Sequence, residues 1–433
     1  MKYLLTLFFC LFSVYIQAEN YPYQSSILWV TQPDHDNWIY KTGEKANIEV
    51  SVFEYGIPLN NVEIEYAFGA EMLDKTNKGV ITLKQGKANI NIGTSKVPGF
   101  IDCEFTLKRG KQKYKHHVKV GFEPEKLLPY TKMPSDFHSF WENELNEQKT
   151  NVPYEIKIAP APEYSTQTID CYLVKIQCFK KGQYVYGYLS KPKKEGKYPV
   201  VLTPPGAGIK PLNPSKYQFY ADEGFIKLDI EIHGIRPNLD AATFAEISAN
   251  FNGGYTNYFL NGLDNPKEYY MKRAYLACIR CIDFLTTLPE WDGKNIIAQG
   301  GSQGGALALI TTALDKRVTA CAAHHPALSD MAGYKAGRAG GYPHMIKKYP
   351  SVNTDDKINT MAYYDVVNFA KLINVPVWMT WGYNDNTCPP TTSYCVYNVL
   401  NCPKEKLVTP INEHWTSNEV NHTELEWIKT NIK

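Results

Sequence analysis

The sequence predicts an α/β protein with a mostly parallel sheet, preceded by a smaller all-β sandwich. Three observations carry that expectation. Residues 26–122 hold short alternating apolar runs with no helical pattern, and from Thr168 onward apolar strands alternate with helical stretches. Residues 295–314, NIIAQGGSQGGALALITTAL, read as strand, sharp corner and helix.

At 433 residues, 44% hydrophobic and 21% charged, the chain is long enough for two or three domains with a large core. A formal net charge of +2 supplies no sequence-wide attraction to nucleic acid or to an anionic membrane, so neither is an expected partner. Small or neutral substrates fit better. The 31 tyrosines are compatible with a carbohydrate site, although half-buried packing is their ordinary use.

Residues 1–18, MKYLLTLFFCLFSVYIQA, carry Lys2, an apolar run from Tyr3 to Ile16 and the small Ala18. They read as a signal peptide cleaved after Ala18, too short for a membrane span, so a secreted or periplasmic protein is expected. Cys10 lies inside the apolar run and not at the cleavage site, which argues against a lipid anchor. Without it nine of the ten cysteines remain, an odd number, so at least one is unpaired within the chain. Cys278 and Cys281 form C-x-x-C in an apolar helical pattern, with no second pair or nearby histidine to hold zinc. Buried thiols are the expectation, and a disulfide stays open in an exported protein.

Within residues 19–125 the runs SILWVTQ, KANIEVSVFE, NVEIEYAFG, GVITLK, KANINIG, GFIDCEFTLKRG and KYKHHVKVGF are about seven strands at roughly 8 to 12-residue spacing. This pattern predicts an immunoglobulin-like β-sandwich. Its charges are scattered and no catalytic set converges in it, so it is read as an accessory domain. His116 and His117 fall in one of its strands and are not read as metal ligands.

Residues 123–133, with Pro124 and Pro129, read as a linker, and residues 126–433 as the catalytic domain. The stretch PSDFHSFWENELNEQ predicts a helix with Phe137, Phe140, Trp141 and Leu145 on one face, capped by Ser135 or Asp136. Two strands, TIDCYLVKIQCF and QYVYGYLSKP, flank the turn Lys180-Lys181-Gly182 and predict a hairpin. YPVVLT, FIKLDIEI, NIIAQGG, VTACAAHH, VPVWMTW and KLVTPI then alternate with helical segments, as parallel strands with crossovers do.

The corner fits G-x-S-x-G through Gly300, Ser302 and Gly304, the strained turn that exposes a nucleophilic serine in α/β-hydrolases. Taken alone the pattern is weak, but the chain supplies partners in the required order of acid then histidine. Asp385 follows VPVWMTW and His414 follows KLVTPI, each at the end of a strand. A serine hydroxyl is a poor nucleophile until a base takes its proton, and imidazole needs an acid to fix its tautomer. Among rivals, His422 falls in the terminal helical stretch, His324 and His325 come too early for the base, and Asp355, Asp356 and Asp365 follow no clear strand. For the oxyanion, the amide of Gln303 is one expected donor. Pro204 and Pro205 have no N–H, so Ala207 is the expected second donor and Gly206 the fallback.

DFHSFW, GYLSKP, GGSQGG, DNTCPPTTSYCVYN and His414 together resemble the acetyl xylan esterase and cephalosporin C deacetylase family, carbohydrate esterase family 7, from about Met133 to the C-terminus. The resemblance implies an α/β-hydrolase fold, a Ser302–Asp385–His414 triad, and Ala207 and Gln303 as oxyanion donors. It also implies removal of acetyl groups from xylan-type oligosaccharides through an acyl-enzyme, with no metal and no cofactor. The family pattern changes in three places. Pro205-Gly206-Ala207 stands where His-Gly-Tyr is usual, His233-Gly234-Ile235 where Arg-Gly-Gln is usual, and Glu413-His414-Trp415 where His-Glu is usual. Pro205, Gly206, His233 and Trp415 are therefore the expected pocket walls, with altered substrate choice. A homo-oligomer stays open, because the added sandwich would alter the family's ring-like hexamer. Two alternatives stand beside an acetyl esterase: a peptidase or larger-acyl carboxylesterase of the same fold, and a non-catalytic carbohydrate-binding protein.

Overall fold

The computed structural model describes residues 25–250 and 257–432. The leader expected at residues 1–18 lies outside them. No described helix is long and apolar enough to cross a membrane.

The seven expected N-terminal strands form, together with two short ones: β1 (Ile27–Pro33), β2 (Ile39–Tyr40), β3 (Asn47–Glu54), β4 (Ile57–Pro58), β5 (Val62–Ala70), β6 (Asn77–Leu83), β7 (Lys87–Asn91), β8 (Gly99–Arg109) and β9 (Gln112–Phe122). They make two sheets, one of β1, β3, β4 and β7 and one in the order β2-β9-β8-β5-β6. Period-two alternation sets their faces. Val50 and Val52 of β3 and Cys103, Phe105 and Leu107 of β8 are buried in one apolar cluster with Val118 and Val120 of β9. Each fully buried side chain of this size contributes roughly 1.5–3 kcal/mol. The opposite face of β8 and β9 is polar, and the antiparallel register sets Asp102 opposite Lys119, Glu104 opposite His117, and Thr106 opposite Lys115.

The remaining strands are β10 (Ile156–Pro160), β11 (Ile169–Gln177), β12 (Tyr184–Pro192), β13 (Tyr198–Thr203), β14 (Ile226–Glu231), β15 (Trp291–Gly301), β16 (Ala320–His324), β17 (Val377–Trp381) and β18 (Lys404–Val408). They form one nine-stranded sheet in the order β10-β11-β12-β14-β13-β15-β16-β17-β18. β10, β11 and β12 run antiparallel, the last two joined as the expected hairpin, and β14 through β18 pair in parallel. The edge strand β10 is not among the predicted ones: IKIAP is five residues long, ends on a proline and is exposed along most of its length. The last strand also ends earlier than KLVTPI suggests, at Val408. Pro410 has no N–H with which to continue a ladder.

Burial explains two further readings. All nine described cysteines are unpaired, and only Cys402 is not fully buried. The stretch read as a linker is not a free spacer: Leu127 joins the main core, and Asn398 donates hydrogen bonds to the carbonyls of Pro124 (3.0 Å) and Leu127 (2.9 Å). Phe100 of β8 also belongs to that core, meeting Tyr383 edge-on at 5.0 Å between ring centroids. A strand of the N-terminal sheet thus places an aromatic ring in the main core, and Phe100→Ala is expected to lower stability to urea unfolding by about 3–5 kcal/mol.

Candidate active site

Ser302 lies between the end of β15 and the start of the Gln303–Leu314 helix, with φ 60° and ψ −123°. A side-chain-bearing residue rarely holds this conformation, and it turns Oγ out of the corner. Close packing keeps it there. A Cβ on Gly300 would lie 2.6 Å from the carbonyl carbon of Gly304, and one on Gly304 would lie 2.4 Å from the Pro204 carbonyl oxygen. The glycines let strand, helix and the loop after β13 approach within touching distance.

The other two predicted residues converge on this serine. Nε2 of His414 is 3.0 Å from Ser302 Oγ, and Nδ1 is 2.7 Å from Asp385 Oδ2. The His414 side chain is 28% exposed and that of Asp385 is wholly buried. The second carboxylate oxygen of Asp385 accepts the amides of Thr387 (2.7 Å) and Cys388 (2.8 Å). Burial pushes this carboxyl up, but the His414 hydrogen bond and charge, with His325 and the Cys388 amide, outweigh it and hold the group below its ordinary value. Such a relay can orient an imidazole and let it take a hydroxyl proton. Behind it the ring of His325 lies 4.3 Å from that of His414, and burial pushes His325 down to about 3, so it stays neutral. The ligand atoms of His325, Asp385 and His414 lie within 4.8 Å of one another. The Asp385–His414 hydrogen bond accounts for that grouping.

The predicted oxyanion residues flank the corner. Ala207, Pro205 and Gly206 are partly exposed in the loop after β13, and Gln303 is buried at the helix start. The side chain of Gln303 is tied to that loop: its Nε2 donates to the Pro205 carbonyl at 3.4 Å, while Oε1 accepts from the Tyr258 hydroxyl at 2.6 Å. Tyr258 in turn is hydrogen-bonded by the Gly208 amide. His233 stands behind this group, edge-on to Tyr258 at 4.8 Å with Nδ1 2.7 Å from the Tyr270 hydroxyl. It supports the aromatic layer from a buried position. Trp415, by contrast, is 50% exposed beside His414. Tyr258 was not singled out by sequence reading, since its partners come from loops some 45 residues away on the chain.

Lys119 of β9 is the second residue that sequence reading passed over. Its fully buried ammonium donates to the Asp385 carbonyl at 2.7 Å and to Glu71 Oε1 at 2.9 Å, and its amide donates to Asn384 Oδ1 at 2.9 Å. Asn384 also binds the His414 loop, through its amide to the Asn412 carbonyl (3.1 Å) and through Nδ2 to the Ile411 carbonyl (3.2 Å). The N-terminal sheet therefore holds the turn that carries the acid, and that turn holds the loop that carries the histidine.

A serine, imidazole and carboxylate in line at strand ends, with the serine on a glycine-lined corner, define an α/β-hydrolase. The acetyl xylan esterase family model matches residues 124–431. Acetyl esterase Axe7A of Xylanibacter ruminicola is 54% identical over 435 aligned positions, covering 100% of this chain and 97% of that protein. Among solved structures, an acetyl xylan esterase from Paenibacillus sp. R4 is 26% identical with a TM-score of 0.62, covering 71% of this chain and 98% of its own. Acetyl xylan esterase 1 from Thermoanaerobacterium sp. JW/SL YS485, at 23% identity, shares the fold with a TM-score of 0.62 over 71% of this chain and 96% of its own. The chain belongs to the acetyl xylan esterase family and is a carboxylic ester hydrolase.

Removing one partner of a buried ion pair strands the other charge. Lys119→Met is expected to cost about 3–5 kcal/mol in chemical denaturation, and the Lys119→Met/Glu71→Met pair, which removes both charges, to recover part of that loss.

Proposed function

We propose that this protein is a secreted serine esterase that removes acetyl groups from xylan-type oligosaccharides through an acyl-enzyme. The observation that carries the reading is the continuous relay from Ser302 Oγ to His414 (3.0 Å) and on to Asp385 (2.7 Å) in a chain of this family. His414 Nε2 takes the Ser302 proton as Oγ attacks the acetyl carbonyl, and the carbonyl oxygen becomes an oxyanion facing the amides of Ala207 and Gln303. Collapse breaks the bond to the sugar oxygen, which leaves with the proton from His414, and the acetyl group stays on Ser302. Water then gives a proton to His414 and its oxygen to the acetyl carbon, and the second collapse returns the proton to Ser302 Oγ and releases acetate. Asp385 holds the imidazole and stabilises its cation throughout.

The same proposal assigns residues 1–18 to a cleaved leader, residues 19–125 to an immunoglobulin-like accessory domain, and residues 126–433 to the catalytic domain. The leader's composition supports export to the periplasm or medium. The two N-terminal sheets around their own apolar cluster support the sandwich.

Ser302→Ala is expected to lower acetate release from acetylated xylo-oligosaccharides by about 10⁴-fold or more, and a fluorophosphonate is expected to label wild-type protein at Ser302. Acetate release by the alanine variant at the parental rate would sink the serine mechanism. Folded protein that takes no label and releases no acetate would be the carbohydrate-binding alternative, while faster cleavage of a longer acyl ester or a dipeptide amide would move the substrate class.

A further inference from the structure

A cleft of 480 Å³ opens where the N-terminal sheet meets the catalytic turn. One wall is the outer face of β8 and β9, with Glu104, Thr106, Lys115 and His117; the other carries Asn386, Glu413 and His414. The volume lies within the about 300–1,000 Å³ usual for ligand sites and exceeds what an acetyl group needs. Its chemistry is mixed in charge, with the carboxylates of Glu104 and Glu413, the Lys115 ammonium, the imidazoles of His116, His117 and His414, and the amides of Asn384 and Asn386. Glu104 and Glu413 keep 56% and 65% of their side chains exposed, each with one oxygen paired, Glu104 Oε1 to Lys75 at 3.5 Å and Glu413 Oε1 to His117 at 3.6 Å. His117 is anchored, with Nδ1 3.1 Å from Asp102 and Nε2 3.6 Å from Glu413.

Of the relay residues, His414 lines the cleft, while Ser302 and the predicted oxyanion residues Ala207 and Gln303 lie outside its walls. The carbonyl oxygen of the ester must face the oxyanion donors, so the alcohol half has to lie where the imidazole can protonate it. His414 is common to the relay and to this cleft. We propose that the cleft is the seat of the alcohol half of the substrate, a neutral polyhydroxylated carbohydrate chain gripped in part by the N-terminal sheet. This rests on the reading of Ser302 and His414 as the acyl-transfer pair. Carboxylates and an amide suit sugar hydroxyls, the mixed charges disfavour a polyanion, and the polar walls disfavour a fatty alcohol. On this reading the sandwich is a contributor to substrate selection, and the polar face that clamps the acid turn through Lys119 also supplies a binding wall.

The test compares wild-type enzyme with Thr106→Trp, which fills the cleft from an outward strand position, and with Glu104→Ala/Glu413→Ala. Each is assayed on acetylated xylotetraose and on 4-nitrophenyl acetate, whose alcohol half is small and lacks hydroxyls. The expected result is a fall of about tenfold in the ratio of kcat/KM on the oligosaccharide to that on the aryl ester for Thr106→Trp, chiefly through KM. The double alanine variant should show a smaller fall in the same direction. A ratio within twofold of wild type in both variants overturns the proposal, including when both activities fall together. If wild-type enzyme cleaves the aryl ester and releases nothing from the oligosaccharide, the substrate reading fails and the carbohydrate assignment of the cleft fails with it. Loss of the ratio in the variants with intact wild-type activity on both substrates separates the cleft from that wider failure.

Discussion

Asp385 is a carboxylate with no exposure to solvent, and burying such a charge without partners costs several kcal/mol. Its surroundings compensate on every side. Two backbone amides meet one oxygen and the His414 ring meets the other. Those contacts exist only if the turn after β17 keeps one shape and the loop after β18 comes back across it. The charge therefore dictates the local backbone, and the imidazole's alignment on Ser302 follows from the same set of bonds.

Holding that turn is a task shared between sheets. Lys119 reaches in from β9 to bind the Asp385 carbonyl, and Asn384 links the turn to the loop bearing His414. A buried ammonium is itself costly, and Glu71 neutralises it while reaching toward the Thr391 amide at the start of the Pro390–Val399 helix. Removing the N-terminal sheet would leave the acid turn without its backbone clamp. The N-terminal sheet is thus mechanically part of the structure that holds the acid turn.

On the opposite side of the serine, apolar packing does the equivalent work. Tyr258 ties Gln303 to the loop after β13, and His233 and Tyr270 back it with ring contacts. Behind Ala207, which brings only a methyl group to that loop, the buried Tyr258 from elsewhere on the chain supplies rigidity through Gln303.

Local signals were enough for the elements. Alternation over residues 26–122, the Lys180-Lys181-Gly182 turn and the glycine-lined corner each arise from forces acting within a few residues, and so were legible in order. The meeting of Ser302, Asp385 and His414 was legible too, because each follows a strand in a parallel sheet, where chain order implies spatial order. β10 was missed because its alternation, Ile156-Lys157-Ile158, runs for only three residues between Pro153 and Pro160, too short to mark a strand without its neighbour β11. Lys119 and Tyr258 were missed for a different reason: a lysine in a strand reads as solvated, and a tyrosine in a loop reads as packing. Pairing an ammonium with a carbonyl 266 residues away is a tertiary event. The sequence by itself determined the strands, the corner and the three residues of the relay, since these depend on local sterics and on topology. Only the tertiary structure decided that the N-terminal sheet clamps the acid turn and walls the cleft, because burial and charge compensation across distant segments exist only once the chain has folded.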